Sequence, residues 1–229
     1  MGPGGVGRSR SKPPPKSYSP FELLTEKGCD AGSNPARGTK VTEMEKIEVP
    51  SQKAYKLIYP RLVVLVSCID PATGKPNIIT IAWATPLSAN PSLVGILVAP
   101  RRHSHELIAR AKEFVINIPT VEILDKAIKC GRASGREHDK FSEIGLTAKP
   151  AKVVKSPIIE ECVAHLECKL VNQITTGDHT LFVGEVVAAY ANEGTFDGRF
   201  MNIEKVRNFY QVSGDTFAIL SKDLLKPEF

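Results

Sequence analysis

A chain of 229 residues, 42% hydrophobic and 24% charged, has room for one domain of moderate size with a substantial core. Its net charge of +5 is uneven: residues 1–43 hold seven Lys/Arg against four Asp/Glu, the remainder 23 against 21. That balance marks no nucleic-acid surface, and no run of eighteen apolar residues offers a membrane span. The five Cys show no CxxC spacing and no clustered His, so they read as buried, reduced thiols of a cytoplasmic protein rather than as metal ligands.

The first fifty residues carry seven of the 17 Gly and seven of the 17 Pro, with almost no hydrophobic periodicity. Such a segment cannot bury enough apolar area to offset its ordering entropy, so residues 1–52 are expected to form a flexible extension. Residues 1–21, basic and free of acids, superficially resemble a transit peptide, but a loosely docked tail with Met44 as an alternative start is the simpler reading. The folded domain is expected over residues 53–220, with a short tail at 221–229.

From Tyr55 the pattern changes. Leu62–Asp70 is a β-branched run ending in the turn Pro71-Ala72-Thr73-Gly74. Ile78–Ala84 and Leu93–Ala99 read as strands on either side of Asn90-Pro91. His103–Lys112 reads as a helix with Leu107, Ile108 and Ala111 on one face and Ser104 as its N-cap. Phe114–Ile118 returns to strand, and Thr120 opens a second helix ending before Gly131. Arg132–Asp139 is a charged loop. Val163–Ile174 and Thr180–Ala189 form a hairpin around Gly177-Asp178, and Phe209–Val212 and Phe217–Leu220 another around Gly214-Asp215. Many strands with two short helices between them indicate a barrel rather than a doubly wound sheet.

Familiar catalytic patterns are missing. Gly74-Lys75-Pro76 is no P-loop, since it lacks the earlier Gly and the following Ser/Thr, and there is no strand-linked GxGxxG, GxSxG or HExxH. What remains are three clusters. Arg101, Arg102 and Ser104 lie between a strand and a helix N-terminus, where free N–H groups and the helix dipole suit an anion; the alternative is a solvated basic turn. Thr80 to Ser88 surrounds the lone Trp83 with small residues that would let a planar ligand approach, though a core Trp is the commoner explanation for a lone Trp. Gly177-Asp178-His179 is a hairpin turn or a site loop.

Taken together these residues resemble the flavin reductase-like family. Asn77-Ile78-Ile79-Thr80-Ile81-Ala82-Trp83, Pro86-Leu87-Ser88, Asn90-Pro91 and the Arg/His/Ser turn stand in the family's order. Phe114-Val115-Ile116-Asn117, Asp139-Lys140-Phe141, Glu167-Cys168 and Gly177-Asp178-His179 continue it. The resemblance spans residues 53–220 and implies a mainly β, six-stranded Greek-key split barrel with a few short helices. It implies a homodimer binding FMN, with NAD(P)H as co-substrate and a small-molecule acceptor or redox protein as partner.

Thr80, Ala82, Trp83, Ala84 and Ser88 would run along the ring and ribityl chain. Arg101, Arg102 and Ser104 would hold the phosphate, with Lys140, Phe141 and His179 as further contacts. Lys140 and His179 are alternative donors to the flavin edge. Ala82-Trp83 replaces the Asn-Ser pair of the phenol-hydroxylase-type reductases, which places the chain nearer the flavoredoxin and ferric-reductase-like branch. No catalytic side chain is expected, because the flavin carries the redox chemistry.

Overall fold

The computed structural model describes residue 1 and residues 45–227. The chain divides into two units, Met1–Glu48 and Val49–Phe229. Met44 and nearly all of the expected extension lie outside the described residues, and everything below concerns the second unit.

That unit opens with a 3-10 segment, Ser51–Ile58, which hydrophobic patterning had not indicated. The expected first strand is two: β1 (Arg61–Leu62) and β2 (Val64–Ile69). β3 (Pro76–Ile81) and β4 (Ala84–Ser88) come from the expected Ile78–Ala84 run and the segment after it, interrupted at Ala82-Trp83. β5 (Leu93–Val98), α1 (His103–Ala111) and β6 (Glu113–Ile118) lie within a residue of expectation.

The second helix begins with a 3-10 turn at Val121–Ile123 and continues as α2 (Leu124–Arg132), so Gly131 sits inside its last turn instead of beyond it. α3 (Lys140–Ile144) is a further short helix, capped by the Asp139 carboxylate accepting from the Ser142 N–H. After the short β7 (Ala148–Lys149) and β8 (Ile158–Ile159) comes the long hairpin β9 (Ala164–Thr176) and β10 (His179–Ala191). β11 (Phe209–Ser213) and β12 (Thr216–Ile219) complete the set.

The main sheet has the order β3-β2-β6-β9-β10-β5-β4, with antiparallel pairing throughout. Its two edge strands, β3 and β4, are consecutive in the chain. They are therefore one strand bent at Ala82-Trp83 that leaves one edge of the sheet and joins the other, closing a six-stranded split barrel. The bend keeps its backbone acceptors satisfied, as burial demands. Trp83 O accepts from Leu97 N–H at 2.9 Å, and Arg61 Nε donates to Ala82 O at 3.1 Å.

β2 is buried on both faces, which is why its sequence is a continuous β-branched and apolar run rather than an alternation. Val64, Val66 and Cys68 point into the barrel with Ile96, Val98, Phe114 and Phe182, and α1 closes this core with Leu107 and Ile108. Val63 and Leu65 point outward into a second layer with Ile78, Ala127, Phe141 and Phe209. Gly184 is required where β10 crosses Phe114: a Cβ there would stand 2.6 Å from Phe114 Cζ.

Candidate functional site

Three adjoining cavities of about 150, 170 and 280 Å³ meet at Arg102, outside the bend between β3 and β4. The first lies at the N-terminus of α1 and is lined by Arg101, Arg102, Ser104, Arg132 and Lys140. The second lies along the bend, lined by Thr80, Ala82, Trp83, Arg101, Arg102 and His179. The third continues between the end of α2 and the β11–β12 hairpin, past Ile128, Gln211 and Phe217.

The first cavity has the electrostatics of an anion site. α1 begins after Arg102, which makes no side-chain capping bond, so its leading N–H groups have no side-chain acceptor. Ser104, expected as the cap, is instead the second residue of the helix, 2% exposed, and its Oγ accepts from Asn77 Nδ2 at 2.7 Å. It turns inward because Leu107 and Ile108, three and four residues on, share its buried face.

Lys140 is 5% exposed, and its ammonium donates to Ile78 O at 2.8 Å and Cys130 O at 2.7 Å. Burial, with Arg102 nearby, holds its pKa below the usual lysine value. Among the described residues the linings of the first two cavities contain no carboxylate.

The second cavity is a slot beside an aromatic group. Trp83 packs against the barrel core, as the core reading expects, and also lines the cavity. Its ring lies 4.8 Å from the His179 ring, and His179 Nδ1 is 2.7 Å from Asp178 Oδ1. Tyr55 meets the Trp83 ring edge-on at 5.5 Å. Thr80 faces outward and its hydroxyl donates to Ala127 O, which pins α2 to β3. His103 lines the first cavity while His105 packs edge-on against Phe182, and burial lowers the pKa of both. His105 bonds Thr180 Oγ1 at 2.8 Å.

Of the eleven residues singled out from the sequence, eight line these cavities: Thr80, Ala82, Trp83, Arg101, Arg102, Ser104, Lys140 and His179. Ala84 and Ser88 follow the bend onto β4 and lie outside the lining, and Ala84 packs against the barrel core. Phe141 is 6% exposed in the outer core, where it backs the segment carrying Lys140. Arg132, Gly135 and Gln211 join the site from the end of α2, the following loop and β11. Arg132 and Gly135 fall within or beside the loop recognised as charged; nothing in the sequence near Gln211 points to the site.

A family model described as "Flavin reductase like domain" matches residues 56–207. The chain belongs to the flavin reductase-like family. An uncharacterised protein of Pyrococcus abyssi is 34% identical over 176 residues, covering 77% of this chain and 99% of its own length. A flavin reductase of Pseudomonas putida is 34% identical over 128 residues, 56% of this chain and 71% of its own. Flavoredoxin of Desulfovibrio vulgaris superposes with a TM-score of 0.70 at 26% identity, covering 80% of this chain and 96% of its own. An FMN-binding protein of Thermus thermophilus gives 0.67 at 26% identity, over 84% and 100%.

Proposed function

We propose that this chain is an FMN-binding flavoprotein oxidoreductase that draws electrons from NAD(P)H and passes them to flavin, ferric iron or another small acceptor. The observation that carries the reading is a carboxylate-free, cation-lined cavity at the uncapped start of α1, opening directly onto the Trp83 slot. A phosphate monoester on a planar ring system matches that pair of cavities. Family membership and the flavoredoxin and FMN-binding relatives support flavin over other planar phosphates.

On this reading Arg101, Arg102, Ser104 and Lys140 hold the phosphate, with charge-assisted hydrogen bonds as the main contribution. Thr80 and Ala82 keep the slot narrow-walled, and Trp83 covers an aromatic face. Lys140 belongs to the phosphate cavity, which leaves His179, beside Trp83, as the donor to the flavin edge. The bound flavin supplies hydride and electron transfer; the protein supplies position, charge and exclusion of water.

Calorimetric titration with FMN and FAD tests the proposal. FMN should bind in the micromolar range or tighter, and FAD no better; binding of neither overturns it. A second reading, an electron carrier reduced by a protein partner, is favoured by the flavoredoxin likeness. NAD(P)H oxidation by the FMN-loaded protein separates the two.

We also infer a homodimer. Val171 and Ile174 on β9, and Phe196 and Phe200 beyond β10, are exposed apolar side chains that a second copy would bury. A cytoplasmic location fits Cys68, Cys130, Cys162 and Cys168, which are buried and free among the described residues.

A further inference from the structure

Asn77 stands in an unusual place for an amide. It is the second residue of β3, facing the barrel interior, 4% exposed, with Cys68 on the paired strand and α1 above it. Its Nδ2 donates to Ser104 Oγ at 2.7 Å. Its Oδ1 is buried without a hydrogen-bond partner among the described residues. The loop after α2 passes so close that a Cβ on Gly135 would stand 2.1 Å from that oxygen. An apolar side chain would fill this interior position without leaving a carbonyl unmet, so the amide's return has to come from its other end.

That return is the direction of one proton. A hydroxyl that accepts from an amide N–H keeps its own hydrogen for another acceptor. The protein acceptor within reach of Ser104 Oγ–H is the Cys68 thiol, whose sulfur accepts far more weakly than a phosphate oxygen, and Ser104 lines the cation-rich cavity. We propose that Asn77 is a positioning residue that fixes the Ser104 hydroxyl as a donor to a phosphate monoester, and so sets the preference for phosphorylated over unphosphorylated flavin. The inference rests on the FMN reading above and adds the residue behind the phosphate contact.

The proposal separates from a packing role because only one of two related ligands carries the phosphate. FMN and riboflavin are titrated into wild type, Asn77→Ala, Asn77→Asp and Ser104→Ala. The Asp variant keeps the side-chain shape but offers an acceptor, which turns the hydroxyl proton away from the cavity. Both Asn77 variants and Ser104→Ala should weaken FMN about tenfold or more, as loss of one hydrogen bond to a charged group predicts. Riboflavin affinity should stay within about twofold, and Ser104→Ala combined with Asn77→Ala should be no worse than either alone.

Equal weakening of both flavins in the Asn77 variants, or unchanged FMN preference, overturns the proposal and leaves the FMN reading standing. A wild type that binds both flavins equally overturns the phosphate reading itself. Should Asn77→Ala fail to fold, the shape-conserving Asp variant and Ser104→Ala carry the same comparison.

Discussion

The indole N–H of Trp83 donates to the hydroxyl of Tyr59 at 2.8 Å, so the only Trp of the chain is anchored from the end of the 3-10 segment that precedes the barrel. The bond fixes the ring at the bend where β3 becomes β4, where it both packs against the core and lines the slot.

This geometry makes Trp83 a built-in reporter. Adding FMN should quench its fluorescence in a saturable manner, with the same midpoint as calorimetry. Tyr59→Phe removes the anchor while keeping the ring packing, and should weaken FMN by about 0.5–1.5 kcal/mol. An emission spectrum indifferent to FMN would place the flavin elsewhere.

Replacing Arg101 and Arg102 together with Ala should reduce FMN affinity by about 2–4 kcal/mol, at about 1.5–3 kcal/mol per charge-assisted bond with partial non-additivity. The loss should shrink for riboflavin, because both guanidinium groups belong to the anion cavity. Calorimetry on the double variant provides the check.

Acid sensitivity should come from a buried histidine of β9. His165 is 4% exposed, and its Nδ1 pairs with Asn117 Oδ1 at 2.9 Å. Burial lowers its pKa from 6.5 to about 4, even with Glu167 pulling the other way. A pKa depressed in the folded state means that the unfolded chain binds the proton first. The contribution is therefore complete above about pH 6.5 and is lost as pH falls toward 4. The loss is on the order of 3 kcal/mol, which thermal melts across that window would read as a fall in Tm. His165→Gln should flatten the slope between those values.

Gly184→Ala should destabilise the fold by about 1–3 kcal/mol, the usual range for overpacking a filled core. The added carbon would meet Phe114 at 2.6 Å and Cys168 at 2.9 Å. Denaturant unfolding of the FMN-free protein is the measurement, and Phe114→Leu in the same background should recover part of the loss.

Most strands were legible because each has a plain cause in the chain: the β-branched runs of β2, β5 and β6, and Gly-Asp at the two hairpin turns. The cation-lined cavity at the start of α1 was legible for the same local reason, as a strand, two Arg and a helix start are contiguous. What escaped depends on distance in sequence. The break of one strand at Ala82-Trp83 is stabilised by Arg61 and Leu97, neither of which marks it locally. Ser104 reads as a cap until Asn77, 27 residues away, claims its oxygen. Gln211 reaches the site only through the pairing of β11 with β1, which two residues of β1 could not announce.

The bend between β3 and β4 also fixes an order of events. The slot has no existence within any single hairpin: its walls come from residues near 80, 101, 179 and 211. His179 can stand beside Trp83 only after β10 has paired with β5 and β4 has crossed to the opposite edge. During refolding, strand signal should therefore return first, as hairpins form from neighbouring residues, and flavin quenching of Trp83 last, when the sheet meets itself. The cofactor would then act as a latch on a finished circle: it binds only the closed form, and by mass action each tenfold excess over its dissociation constant holds that form shut by about 1.4 kcal/mol more.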